Sequence, residues 1–412
     1  INKKVKKISA YKKPFIKIFE FNLKKSIIIN LLHHFSLLLK YSLYKVILYP
    51  LLFFNKGIEH NAKNIYFTRY PLHFKDDFFV EEKYNFLVNE KDMFFTSILC
   101  DGLHQNINWI DALKSRIEIL RTNEKKHIVI DDFINFRIIL GSFLRSIQIL
   151  YKFRGLLKVD YFFGKIKISK SIKSELKLSF QRLLALILNY ECLNYALKKV
   201  NATRYIYYLH EYAFGRMISY TLHKNKKFNT FGFQHGPASM RKLLYNIAKK
   251  EVPNKNNNYL NSVPIPKKIF AEDENSKNVY LNSGFSNIYI LKKIPRISYL
   301  YDLKFNKERD IILITSGLHD FEFVYKYCLK IIERSKKENF VFKPHPRSKK
   351  LLKNYYLPDN AEFTSEHISK LLRRTKLLYS TYSSVAMEAK FLQIPVRLID
   401  YPGVINQSPL NI

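Results

Sequence analysis

The residues best placed to do chemistry lie near the end of the chain. A short apolar run at 340–342 stops at Lys343-Pro344-His345-Pro346. About 35 residues later a second run, 377–379, stops at Ser380-Thr381-Tyr382-Ser383-Ser384, followed by Val385-Ala386-Met387-Glu388-Ala389. The prolines fix a rigid exit and leave His345 at the carboxyl edge of its strand, where open α/β sheets bind ligands. The hydroxyl cluster opens a helix, and the orphan N–H groups and dipole of a helix start favour an anion. Together the two segments read as a cradle for the phosphates of a nucleotide. His345 has the alternative of only capping its strand. Ser383 and Ser384 have that of plain helix capping, which does not exclude a ligand. Lys343 and Arg347 flank the histidine but read as surface residues in so lysine-rich a chain.

Positioning those side chains takes alternating strands and helices. Residues 65–70, 94–99 and 127–130 are short β-rich runs, 109–120 carries apolar residues at helical spacing, and longer helical patterns cover 133–151 and 171–199. A strand at 205–209, a helix at 212–223 and a strand at 230–233 follow, with 269–271 and 279–281 expected to continue as strands. The strands end in polar residues, the habit of a parallel sheet whose site lies at the carboxyl edge. The Pro- and Asn-rich stretch 252–266 reads as an exposed loop and Asn282-Ser283-Gly284-Phe285 as a turn, which puts a domain boundary near 292–302. Strand 311–315, the turn Ser316-Gly317 and helix 321–334 open a second unit. The expected fold is α/β, with two Rossmann-like domains facing across a cleft. Its parts are a basic, apolar helical extension over 1–60, a first domain over 61–296 and a second over 297–412.

Length and composition agree with a large enzyme. A chain of 412 residues exceeds what one core usually serves, and 47% hydrophobic residues can fill two. Cys100, Cys192 and Cys328 are far apart and form no metal-ligand spacing, so neither disulfides nor zinc are indicated and a reducing cytosol fits. The net charge of +36 suits nucleic acid, an anionic membrane or phosphorylated substrates. No compact nucleic-acid signature is present, which disfavours the first.

The positive charge is densest at the start, where Lys3, Lys4, Lys6, Lys7, Lys12, Lys13, Lys17, Lys24 and Lys25 face only Glu20. Residues 26–54 are apolar, but His33, His34, Lys40, Lys45 and Pro50 interrupt them, and the longest uncharged piece falls short of the ~20 residues that span a bilayer. Two readings stand: a helix lying in the interface of an anionic membrane, or helices packed on the first domain with solvated lysines. The chain begins at Ile1, so an original start is expected to be missing.

The ordered set Tyr208-Leu209-His210-Glu211, Gly232-Phe233-Gln234-His235-Gly236, Phe342-Lys343-Pro344-His345-Pro346, Ser383-Ser384 with Glu388-Ala389 and Pro395, and Gln407-Ser408-Pro409-Leu410 resembles GT-B glycosyltransferases of bacterial surface-carbohydrate (O-antigen or capsule) biosynthesis. The later motifs are similar to those of bacterial sialyltransferases, Kdo transferases and CDP-glycerol-type polymerases. The resemblance covers roughly half the chain, from Tyr205 to Leu410. The family commonly runs on past the point where this chain stops, so a truncation is expected there.

The resemblance implies a donor domain at 297–412 and an acceptor domain before it. His345 and Pro346 would lie against the donor's phosphate, Ser383 and Ser384 would donate to it, and Glu388 would accept from ribose hydroxyls unless it is a solvent-facing helix residue. Glu211 is the implied base and His235 its rival; Glu211 has the alternative of an N-cap or first-turn residue. Asp131-Asp132, at the end of an earlier strand, is a third candidate. Gly232 and Gly236 would let the backbone approach a ligand.

The function so implied is transfer of a sugar from a nucleotide-sugar donor to a surface-polysaccharide or lipid-linked acceptor. It would need no tightly bound metal and no cofactor, and would take place in the cytoplasm or peripherally at the inner face of the membrane. The HP and SS pair leans toward a cytidine-nucleotide donor. Two rivals stay open: an epimerase of the same fold acting on a nucleotide-sugar alone, and a non-catalytic polybasic protein that binds membrane or nucleic acid.

Overall fold

Near-continuous apolar runs such as Met93–Ser97 and Ile311–Thr315, buried at all five positions, form strands covered on both faces, as parallel sheets require. The computed structural model describes residues 23–52, 60–70, 72, 74–75, 78–79, 81, 83–89, 91–98, 109–121, 127–208, 210–227, 229–234, 236–245, 247, 251–252, 262–306, 308–317, 320–345, 352, 355–400, 408 and 410. In chain order the first part runs α1 (Leu23–Leu52), β1 (His60–Arg69), β2 (Met93–Ser97), α2 (Trp109–Arg121), β3 (His127–Val129), α3 (Phe136–Phe153), α4 (Ser169–Lys198), β4 (Val200–Tyr208), α5 (Ala213–Lys224), β5 (Thr230–Phe233), β6 (Lys268–Ala271), α6 (Glu274–Asn282) and β7 (Ile288–Ile290). A 3₁₀ segment, Pro295–Leu300, links it to β8 (Ile311–Thr315), α7 (Phe321–Arg334), β9 (Asn339–Lys343), β10 (Ala361–Phe363), α8 (Ile368–Leu372), β11 (Thr375–Ser380), α9 (Val385–Phe391) and β12 (Val396–Leu398).

Besides two short antiparallel hairpins, Phe74–Lys75 with Phe78–Phe79 and Phe162–Phe163 with Ile166–Lys167, the chain forms two large sheets that are parallel throughout. The first has the order β7-β6-β5-β4-β1-β2-β3 and the second β10-β9-β8-β11-β12. In each, the chain winds outward from a central strand and then returns to its other side. That reversal opens a crevice beyond the carboxyl ends of β1 and β4 in one sheet and of β8 and β11 in the other. The register across the first switch pairs Ile65 with Tyr205 and with Met93, and across the second Ile312 with Phe340 and Leu377. The expected pair of Rossmann-like units, the GT-B type of architecture, is therefore present.

Helix α1 belongs to the first unit's helical layer. Leu37, Tyr41 and Tyr44 join the core formed by Ile65, Phe67, Phe95, Ile138, Leu188 and Tyr207. Among the described residues no helix is long and apolar enough to cross a membrane. His34 is buried at the junction, its Nε2 at 2.9 Å from the Phe180 carbonyl and its Nδ1 at 3.2 Å from Ser146 Oγ.

Residues 279–281, expected as a strand, lie in helix α6. The Asp273 side chain accepts from Ser276 N at 2.6 Å and starts the helix, which carries Val279 and Tyr280 into the core as neighbours on one face. Gly284, with φ +88°, ends it, because its left-handed conformation lets Phe285 N donate to Tyr280 O and Gly284 N to Leu281 O. Ile288–Ile290, beyond the turn, takes the edge position of the sheet instead.

Burial lowers the pKa of His34 and brings that of His223, near the end of α5, down to about 4. Both are neutral in the fold but protonate in the unfolded chain below about pH 6.5. Stability is therefore intact above that pH and drains as pH falls toward 4, by roughly 3 kcal/mol for His223 alone. Thermal unfolding should show a melting temperature that falls between about pH 7 and pH 5. His223→Gln should make that decline shallower.

Candidate active site at the facing carboxyl edges

In the second unit the loops after β8 and β11 interlock. Thr315 Oγ1 donates to Ser380 Oγ at 3.0 Å, Thr381 donates to the buried Asp320 ahead of α7, and the Tyr382 ring packs against Gly317. A Cβ at Gly317 would stand 2.5 Å from Tyr382 Cζ, so only glycine admits the ring. Beside this switch point β9 ends and hands on to half-buried His345. Ser383 is half-buried, with Oγ accepting from Val385 N at 3.4 Å. Exposed Ser384 stands at the N-cap of α9 without a side-chain capping bond. His345, Ser383 and Ser384 thus share one sheet edge. Pro346 and Arg347 lie outside the described residues.

In the first unit β4 runs into His210 and Glu211, both buried. Tyr212, not Glu211, is the N-cap of α5. The Glu211 carboxylate accepts from Tyr280 Oη at 2.6 Å through Oε1 and lies 3.6 Å from His210 Nε2; Oε2 has no hydrogen-bond partner among the described residues. Arg216 and Lys242 act on the same carboxylate electrostatically. Burial lowers the His210 pKa against the pull of Glu211, so the imidazole is neutral. Its ring presses on Gly232 of β5, where an added Cβ would meet His210 Nδ1 at 2.9 Å and Pro266 Cγ at 2.5 Å. His235 lies outside the described residues. Before it, Gln234 ties the edge together: Nε2 donates to Gly236 O at 2.7 Å and Ser276 Oγ at 2.9 Å, and Oε1 accepts from Glu272 N at 2.9 Å.

Asp131 and Asp132 have other work. Asp131 Oδ2 accepts from Ile98 N at 2.6 Å, and Asp132 Oδ2 receives the wholly buried Arg116 at 2.5 Å. Among the described residues no cluster of His, Cys, Asp or Glu is placed to hold a metal ion.

The linker joins the two edges. Arg296 binds Glu272, just past β6, with both Nε and Nη2, the latter at 2.6 Å. Its Nη1 lies 3.6 Å from Glu388 of α9, and Tyr299 donates to Glu388 Oε2 at 2.6 Å. Burial pushes the Glu272 pKa up, against the pull of the guanidinium. Glu388 is buried, not solvent-facing, and linker side chains hold both its oxygens. A narrow pocket opens beside this junction, lined by Lys83, Tyr208, Phe233, Gln234, Glu272 and Arg296 among others. Arg296, Tyr299, Tyr280 and Glu272 escape sequence reasoning because each matters through a partner from a different element.

Two doubly wound parallel sheets with their carboxyl edges joined at one linker define the class of this chain as a two-domain α/β protein of GT-B type. No family model matches the chain, and no curated protein matches its sequence. Among solved structures it is similar to the UDP-GlcNAc 2-epimerase from Neisseria meningitidis bound to UDP-GlcNAc, at 12% identity over 82% of each chain and a TM-score of 0.41. It is also similar to the glycotransferase of kitacinnamycin, at 9% identity over 84% of this chain and 82% of that one, with a TM-score of 0.46. The wall teichoic acid polymerase TagF matches at 12% identity over 89% and 79%, with a TM-score of 0.36. Identities near one in ten and TM-scores below 0.5 give these likenesses no weight in assigning a function.

Removing Arg296 would leave Glu272 and Glu388 buried beside each other without their shared cation. Arg296→Met is expected to destabilise the chain by about 3–5 kcal/mol in urea unfolding. Arg296→Lys should recover only part of this, since an ammonium cannot span the Glu272 fork.

Proposed function

We propose that this chain is a glycosyltransferase that moves a sugar from a nucleotide-sugar donor to a glycan or lipid-linked acceptor of surface-polysaccharide synthesis, in the cytoplasm and without a bound metal or cofactor. The observation that carries the reading is the state of Glu211: a carboxylate oriented by Tyr280 through one oxygen, with the other lacking a hydrogen-bond partner among the described residues, at the carboxyl edge of the first sheet. A sugar hydroxyl is a poor nucleophile until its proton is taken up, and Oε2 is an acceptor for that proton. The acceptor oxygen then bonds to the anomeric carbon as the bond to the donor phosphate breaks, and the nucleotide leaves with that electron pair.

On the donor side, His345 and Pro346 would face the phosphate and Ser383 and Ser384 donate to it. The histidine would add a charge-assisted bond worth roughly 1.5–3 kcal/mol as negative charge grows on the leaving group. Glu388 keeps its proposed place near the ribose, where a hydroxyl would have to share a carboxylate that Tyr299 already uses.

A second reading, a nucleotide-sugar epimerase, is favoured by the number of buried carboxylates, Glu211, Glu272 and Glu388, along the facing edges. Such an enzyme would convert a UDP-sugar alone.

Among CMP, CDP, UDP and GDP, at least one should raise the melting temperature, since a ligand that binds only the folded state must stabilise it. His345→Ala and the double change Ser383→Ala, Ser384→Ala should each weaken that shift without unfolding the chain; unchanged shifts in both would remove the phosphate site. Glu211→Gln should lower transfer by ~10²–10⁴ with donor affinity kept. Near-normal transfer in that variant would move the base to His235. Conversion of a UDP-sugar with no acceptor present would decide for the epimerase.

A further inference from the structure

Helices α1 and α3 pack side by side, and each turns an apolar row outward. On α1, Leu32, Phe35, Leu39 and Leu43 recur at helical spacing and are each more than half exposed, while the opposite face is the one buried in the core. On α3, Phe136, Leu140 and Leu144 repeat every fourth residue, with Tyr151 two turns on at 67% exposure. Large apolar side chains scattered singly need no explanation, but two rows on adjoining helices do.

The charge of the same elements says what covers them. Over all of α1 and α3 there is not one Asp or Glu, against Lys24, Lys25, Lys40 and Lys45 on the first and Arg137, Arg145 and Lys152 on the second. Of these, Arg145 is paired across to Glu191 of α4 at 2.6 Å. Arg154 and Lys158 follow directly after α3, still ahead of the first acid, Asp160. A second copy of the chain docked by the same face would set these cations against each other. An anionic surface with an apolar interior meets both properties together.

We propose that the outer face of α1 and α3 is a docking surface for an anionic lipid bilayer, with the apolar rows entering the acyl boundary and the flanking lysines and arginines at headgroup level. The surface is distinct from the candidate active site and does not depend on the reaction assigned to it.

Sedimentation of the full chain with phosphatidylglycerol vesicles tests this, with phosphatidylcholine vesicles as the neutral control. The chain should bind the anionic vesicles, bind them less at high salt, and bind the neutral ones weakly. The double variant Leu39→Glu, Leu144→Glu should lose at least tenfold in binding while its melting temperature is unchanged, because both positions face outward. Binding equal to that of the unaltered chain would overturn the proposal, as would equal binding to neutral vesicles. So would an unaltered chain that self-associates in sedimentation equilibrium and is made monomeric by the two substitutions, which would assign the face to a second copy. A melting temperature lowered by several degrees in the variant would overturn it too, since these side chains would then be packed within the fold and not face outward.

Discussion

The guanidinium of Arg296 is the interaction on which the arrangement of the two sheets depends. Glu272 belongs to the edge of one sheet and Glu388 to a helix of the other, and both are almost wholly removed from water. Burying a lone carboxylate costs several kcal/mol, and two close together repel each other as well. A planar cation that grips one carboxylate with two N–H groups and reaches the other with a third meets this cost at a single point. Because Arg296 sits on the linker itself, the same contact that neutralises the pair fixes where the linker runs. Tyr299, one turn on, repeats the attachment to Glu388.

Around that junction the backbone is brought unusually close to side chains. Gly232 accepts the His210 ring and Gly317 the Tyr382 ring at distances no Cβ would allow. The two glycines belong to different units but serve the same end: an aromatic or imidazole ring at the carboxyl edge is admitted close against the neighbouring strand or loop. At each edge the loop geometry is thus set by van der Waals contact as much as by hydrogen bonds.

Much of the fold could be read from the sequence, because buried parallel strands announce themselves as short apolar runs with polar ends. The runs at 311–315, 340–342 and 230–233 became strands, and His345 stands at the same sheet edge as Ser383 and Ser384. The strand expected at 279–281 failed because three apolar residues cannot distinguish a helix from a strand, and the deciding signal was Asp273, six residues upstream. The site was less legible. Glu211 could be singled out at a strand end, but its partner Tyr280 lies 69 residues away and nothing local marks it. Glu388 read as a ligand residue or a solvent-facing one, while in the fold it is buried against a linker whose sequence carries no motif.

The centre of the first sheet has a consequence for how the chain is made. Strand β1 takes β4 as its neighbour in a register that joins His60 to Val200, so one whole side of β1 waits for a partner 140 residues further along. At a synthesis rate of about 5–20 residues per second, that wait is roughly 7–28 s on the ribosome. During it β1, β2 and β3 can pair among themselves but present an open apolar edge to anything nearby. The long helices α3 and α4 emerge in this interval, and with α1 already available they can shield the nascent sheet before β4 arrives. Production of this chain should therefore be governed by how quickly the ribosome clears that middle stretch, and by chaperone capacity while it does.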